Sequence, residues 1–544
     1  MIKRHPAWPS VLCVLVLGLA VEAGAQSKGV SVIRAADMKP HMAFLGAKEF
    51  RGRSAPSAEL DIAAKYIALE AATIGLQPLM PDGSFFQQLP VEVTTLSATR
   101  SHIRVSGPAG ELTLHFPQAF TSSVRTPAEW SATGGLIFAG TALSGAQPAW
   151  NDAEGDLRGK FVVVLERPTA AGAAQAGSAP AARTRLLREK GAVGLVTVIS
   201  AEREKALAGN GLGFDLAERL RFLDVDTVNP APPSPPGESA SAAAPAPFPM
   251  VEVRHAAAAA MLGMSLEELT RWFDAGRRGQ VVAPHVYPGT SLNVAVAFDQ
   301  HRRTTPNVVA WLPGSDPRLR EEYVVIGSHH DHNPPREGRV FPGADDNISG
   351  CAGMLAIAKA MMVERPKRSV IFVWHTAEER GLVGAYYFVQ HSPVPVEKIS
   401  ANLNLDMISR NDPNAIYLIG SNKLSSELDA SFHEMSRGVK LTLDYKYEDP
   451  GEPNRFFFRS DQYPYIRYGI PGVWVFCGTT PDYHTEGDVE EKADYGKMEK
   501  VVRLTYLVAM DVGNKSAPLK LDLHPEVKTR GAHNMKVVWQ RPRQ

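Results

Sequence analysis

The apolar positions of this chain recur in three registers. Between about residues 31 and 107, residues 60–69 place apolar side chains at helical spacing, and Gly75 stands where a C-terminal cap belongs. Residues 85–93 read as a strand. Between about 126 and 282, residues 134–140, the turn and strand at 156–166, and residues 193–199 are strand-like, with an Ala-rich helical stretch ending at 186–192. From about Ser291 onward, strand and helix alternate. Residues 307–312 form a strand stopped by Pro313-Gly314, and 324–326, 369–374, 402–408 and 473–476 are further apolar strands. Helices are predicted over 350–363, with Pro366 just beyond, over 381–390, and over 497–512. Near-continuous apolar strands separated by helices predict a doubly wound, mostly parallel α/β sheet covered on both faces.

At 544 residues the chain exceeds what one core organises, so more than one domain is expected. The periodic patterns divide it into an N-terminal part (26–125), a middle module (126–282) of different character, a region of alternating strands and helices (283–515) and a tail (516–544). Residues 229–249 are Pro-, Ser- and Ala-rich and too poor in large apolar residues to build a core, which predicts a disordered surface loop. Residues 1–25 read as an export signal: Lys3, Arg4 and His5 precede a short apolar run, and Ala23-Gly24-Ala25 offers a small-x-small cleavage site. The run is shorter than the ~20 residues a spanning helix needs. The expectation is a periplasmic or extracellular protein with no stable membrane anchor.

Lys plus Arg and Asp plus Glu each number 58, giving no net charge, which argues against partners recruited by bulk charge such as nucleic acid. Removal of the leader takes Cys13 with it and leaves Cys351 and Cys477, too few for a disulfide framework and not spaced as a zinc ribbon.

What changes the picture is where polar residues interrupt the apolar strands. Val324-Val325-Ile326-Gly327-Ser328 runs into His329-His330-Asp331-His332, and Asp345-Asp346 precede the helix that follows. The strand at 369–374 runs into His375-Thr376-Ala377-Glu378-Glu379, the strand at 402–408 carries Asp406, and the strand at 473–476 leads to Tyr483-His484. The C-terminal ends of parallel strands share one edge, so these residues converge on one crevice. Imidazoles mixed with carboxylates suit zinc, and carboxylates can bridge two ions. Two ions about 3.5–4 Å apart would polarise a carbonyl and activate a shared water. Of the adjacent acids Glu378 and Glu379, one can bind metal while the other takes a proton. No Gly-x-Ser-x-Gly elbow points to a serine hydrolase.

At these residues the chain resembles the secreted two-zinc aminopeptidase family, whose relatives include glutamate carboxypeptidase and glutaminyl cyclase. The motifs are Ser328 to Asp331, Gly343 to Gly350, Glu378 to Gly384, Asn404 to Met407 and Tyr483-His484-Thr485. The resemblance implies an exopeptidase acting on peptide substrates with free N-termini through two Zn2+ ions. Asp346 would bridge them, His329 and Asp406 would complete one site, and Glu379 and His484 the other. Glu378 would be the general base acting on a metal-bridging water, Asp331 would orient His329 through its carboxylate, and Tyr483 would help hold the oxyanion. His330, His332 and Asp345 crowd the same motifs without an assigned role. The inserted module resembles a protease-associated domain at Asp156-Leu157-Arg158-Gly159-Lys160 and Lys190-Gly191-Ala192-Val193-Gly194. The alternative within this fold is a carboxypeptidase or dipeptidase, which needs a basic pocket; Arg410, Arg455, Arg459 and Arg467 are its candidates. A catalytically dead binding protein on the same scaffold would lack ligands that are all present here.

Overall fold

The structure, a computed structural model, describes residues 27–123, 128–139, 156–166, 179–209, 218–226, 248–278, 280, 282–336, 339–449, 451–523 and 530–531. The expected leader, nearly all of the Pro/Ala-rich run and most of the tail lie outside the described residues.

Strands without charged interiors form the centre of the main sheet. Ser369–His375, Tyr323–His329, Ile399–Leu405 and Gly472–Phe476 are buried along their whole length and pair in parallel in that spatial order. Burial on both faces is what allows such continuous apolar runs. One face packs the helices Ala58–Ile74, Gly350–Val363 and Tyr495–Asn514, whose Ile67, Leu355 and Val501 share a core with Val324, Ile326 and Leu403. The other packs Val383–Gln390 and Gln462–Arg467, whose Phe388 and Tyr465 meet Val325 and Ile371. The Ala58–Ile74 helix begins where the Ser57 hydroxyl accepts the Leu60 N–H and ends at Gly75, φ 105°.

The mostly parallel expectation holds at the centre and not at the flanks. On one side Phe298–Leu312 runs antiparallel to both Ser369–His375 and Phe86–Leu96; on the other Ala415–Ile419 runs antiparallel to Gly472–Phe476. Phe298–Leu312 is exposed over 299–304, and antiparallel pairing is the arrangement that tolerates a solvated face.

A second, 8-stranded sheet has its own core, in which Phe138, Phe161, Val196 and Leu292 pack with Leu269 and Phe273 of the helix Leu266–Arg277. Its limits are wider than residues 126–282. His102–Gly107 and Trp130–Phe138 both pair with His285–Val296, so strands from either side of the expected insert close the sheet. Composition changes near 126, but the hydrogen-bond register does not respect that change. Within the insert, Glu218–Phe222 leaves the second sheet and pairs with Phe86–Leu96 at the edge of the first. Arg221 there donates to both carboxylate oxygens of Glu92, at 3.0 and 3.1 Å.

The N-terminal segment reaches the strand ends through one fully buried cation. Arg53, at φ 55°, donates to the carbonyls of Leu45, His330, Pro342 and Gly343, and so ties the segment ahead of the helix Ala58–Ile74 to both motif loops. Burial pulls its pKa down to about 10, while Cys351 and the carboxylates Asp331, Asp346 and Asp488 favour the charge. Removing the guanidinium leaves buried carbonyls without donors. Arg53→Leu is expected to destabilise the fold by roughly 3 kcal/mol, read as a fall in denaturant midpoint at unchanged m-value. An unaltered midpoint would show that the loops hold themselves.

Candidate active site

The four parallel strands deliver their C-terminal ends to one edge, and the polar residues collect there. His329 is the last residue of its strand and is buried; its Nε2 faces Asp346 Oδ1 at 3.3 Å and Asp406 Oδ1 at 3.4 Å, with Glu378 Oε2 at 4.0 Å. On the other side of Asp346, its Oδ2 lies 3.0 Å from His484 Nε2, and Glu379 Oε1 lies 3.1 Å from the same nitrogen. Two groups of possible ligands result: His329, Glu378 and Asp406, and His332, Asp346, Glu379 and His484. Asp346 stands between them. All of the residues expected from the motifs therefore meet in one place.

The backbone that presents them is itself unusual. Ala377, Met407 and His484, each a site residue or adjacent to one, have φ of 54, 58 and 56°. Left-handed backbone costs about 1 kcal/mol or more per residue with a side chain, and its clustering marks a region where geometry is imposed by packing. Asp488 accepts the N–H groups of Asp345 and Asp346 at 3.0 Å each, fixing the acidic loop. Asn347 Oδ1 caps the Gly350 N–H at 3.1 Å, and its amide donates to the Leu405 carbonyl at 3.0 Å, joining the loop to the strand that carries Asp406. The Ser460 hydroxyl donates to Asp406 Oδ2. Neither Asp488 nor Arg53 stands in a motif, and pattern reading does not find them.

Asp331 works differently from expectation. Its carboxylate is 3.7 Å from His329 Nδ1, which instead pairs with the Asp331 carbonyl at 3.0 Å. The carboxylate Oδ1 accepts the Glu378 N–H at 3.0 Å, so it positions the adjacent acids. Two of the three surplus residues have hydrogen-bond partners in the fold. His330 faces away from the acids: its Nδ1 lies 2.8 Å from the His375 carbonyl, and burial takes its pKa down to about 3, leaving it neutral. Asp345 accepts the Ser409 N–H at 2.8 Å and hydroxyl at 2.6 Å, a structural role. His332 joins the second ligand group.

A narrow crevice opens over these residues between Asp346, Glu378 and Asp406 on the floor and Met407, Phe456, Trp474 and Phe476 on the wall. Tyr483 lies on its rim, its ring stacked on His484 at 3.8 Å and its hydroxyl accepting from Arg459 at 3.1 Å. Of the candidate arginines, Arg410 pairs with Asp482 at 2.7 Å and Arg467 donates to the Tyr386 hydroxyl at 3.3 Å; Arg459 is the one lining the crevice. Cys351 and Cys477 are buried free thiols. No helix of the described residues is long and apolar enough to cross a membrane.

Charge explains what this arrangement can do. Burial pushes the Glu378 carboxyl well above its usual range, opposed by His329 and reinforced by Glu379. Burial opposes the charge on His484, but Asp346 and Glu379 outweigh it and raise the imidazole to about 10; Glu378 and Asp406 likewise raise His329 well above 6.5. Even so, His329 Nε2, His484 Nε2, Glu379 Oε1 and Asp406 Oδ1 are buried without hydrogen-bond partners. Buried polar atoms left unpaired are costly, and a group that converges from both sign classes fits divalent cations.

Residues 307–509 match Peptidase family M28. Over this segment the chain is similar to that family. The match covers the four parallel strands, the acidic loops and His484. The chain is 33% identical over 223 residues to a protein named probable leucine aminopeptidase 2 from Aspergillus oryzae, covering 40% of this chain and 41% of that one. It is 31% identical over 198 residues to leucine aminopeptidase 2 of Trichophyton equinum, covering 35% and 36%. The chain thus spans about two fifths of the length of these relatives. Among solved structures, an aminopeptidase from Aneurinibacillus sp. strain AM-1 aligns over 91% of this chain and 97% of its own at 20% identity, with a TM-score of 0.48.

The raised imidazoles give a testable sign. Below their raised pKa values His329 and His484 carry protons that a divalent cation must displace, so cation binding releases protons and its affinity rises with pH. Zinc titrations by calorimetry at pH 7, in buffers of different ionisation enthalpy, are expected to show a net release of protons. Buffer-independent heats would contradict this electrostatic account.

Proposed function

We propose that the chain is an exported aminopeptidase that uses two zinc ions to hydrolyse the peptide bond after a free N-terminal residue. The observation that carries this reading is the pair of ligand groups flanking Asp346, with the largely covered Glu378 beside His329. His329 and Asp406 would hold one ion, Glu379 and His484 the other, and Asp346 both. When bound, such ions polarise the scissile carbonyl and lower the pKa of water.

The chain's own residues then divide the work. Glu378 takes the proton of the attacking water and returns it to the leaving amine. Its N–H, held by Asp331, fixes the turn from which it projects. Tyr483, oriented by Arg459, stands where a hydroxyl can donate to the developing oxyanion. The crevice wall of Met407, Phe456, Trp474 and Phe476 suits an apolar side chain, and the acidic floor suits a substrate ammonium. The basic first residues and short apolar run of the sequence support export. The second sheet, which resembles a protease-associated domain in sequence, is read as a module bordering access to the crevice.

One observation favours a rival: Arg459 on the rim, with no carboxylate partner given by an ion pair among the described residues, is placed to meet a substrate carboxylate. Cleavage of matched free, N-blocked and C-blocked peptides separates the two. Loss of turnover on N-blocking supports the aminopeptidase; loss on C-blocking alone would replace it with a carboxypeptidase. Glu378→Gln is expected to retain both zinc ions and lower kcat by about 10²–10⁴-fold on leucyl substrates. Undiminished kcat in that variant removes Glu378 from the mechanism.

A further inference from the structure

His332 is the one surplus imidazole whose position is not explained by the fold. Its side chain is fully buried three residues beyond His329, and neither ring nitrogen has a hydrogen-bond partner. Leaving both nitrogens dry and unpaired costs free energy unless something else satisfies one of them. Its Nδ1 lies 2.8 Å from Glu379 Oε1 and 3.8 Å from Asp346 Oδ2, and its ring meets that of His484 edge-on at 5.4 Å. One ligand atom from each of His332, Asp346, Glu379 and His484 lies within 4.8 Å of every other. Donors around a tetrahedral zinc with bonds of about 2.0–2.1 Å stand roughly 3.3 Å apart, a spacing this group brackets.

The chain also clears space for this ring. Gly343, at φ 58°, packs against it so closely that a Cβ there would come within 2.5 Å of His332 Cγ. A simple donor role toward Glu379 accounts less well for the geometry, because Nδ1 and Oε1 are close yet neither finds a well-aligned hydrogen bond.

We propose that His332 is a fourth protein ligand, through Nδ1, of the cation held by Asp346, Glu379 and His484; this rests on the two-cation reading above. The two sites then differ in kind. The His332 side is filled by protein donors, as closed zinc sites are, whereas the side of His329, Asp346 and Asp406 has fewer protein donors and keeps its open position for substrate. The two ions are accordingly expected to bind with unequal affinity.

The test counts ligated imidazoles directly. In protein loaded with cobalt(II), each coordinated histidine contributes one exchangeable, hyperfine-shifted N–H resonance. The proposal expects three in the wild type, from His329, His332 and His484, and two in His332→Gln. Competition with a chelator should show one of the two zinc ions held about ten-fold or more weakly in the variant, with the other unchanged. Two shifted resonances in a wild type carrying two ions would overturn the assignment of His332 while leaving the two-cation reading intact. A wild type that takes up no cobalt or zinc would overturn both. The wild-type count stands by itself, so a variant that fails to fold does not spoil the test.

Discussion

The structure depends on holding more carboxylates in one buried space than water-free protein tolerates. Asp331, Asp346, Glu378, Glu379, Asp406, Asp461 and Asp488 all lie at the same edge of the central strands, with His329, His332 and His484 among them. Mutual repulsion and lost hydration push several of these groups toward their neutral forms. Asp461 is the extreme case, fully buried with both oxygens unpaired and raised far above the ordinary carboxyl range by burial, with Asp406 adding to the effect. Such a cluster persists only if the fold supplies positive charge from elsewhere.

The fold does so in layers. Arg53 reaches in from the N-terminal segment and holds the two motif loops by their carbonyls. The helix Gly350–Val363 starts directly after the acidic loop, where the Asn347 side chain accepts the Gly350 N–H. Asp488 grips the backbone of that loop, with Arg410 3.9 Å from one of its oxygens. These supports fix the donors in place without satisfying the innermost atoms. What remains unpaired, imidazole nitrogens and carboxylate oxygens aimed at common points, is the signature from which the functional reading is built.

The parts of this arrangement legible in the sequence are those with a strong local cause. Strands buried on both faces carry no charge, so the four central ones stand out, and their polar ends mark the site edge. Gly350–Val363 is legible to the residue, because Gly350 and the apolar stretch after it are followed closely by Pro366. Glu218–Phe222 is not, because this short edge strand is placed by its long-range pairing with Phe86–Leu96. Arg53 and Asp488 are single charged residues whose roles arise only from long-range packing. His329, His330 and His332 are indistinguishable by spacing; the strand's alternation and the turn after it send His330 away from the acids and His332 toward them.

The central claim is that two divalent cations complete this acidic edge. Crystals grown with zinc and measured at wavelengths on either side of the zinc absorption edge test it most directly. The account predicts two anomalous peaks flanking Asp346, about 3.5–4 Å apart, one beside His329 and Asp406 and the other beside Glu379 and His484. A single peak, or none within reach of Asp346, would contradict it.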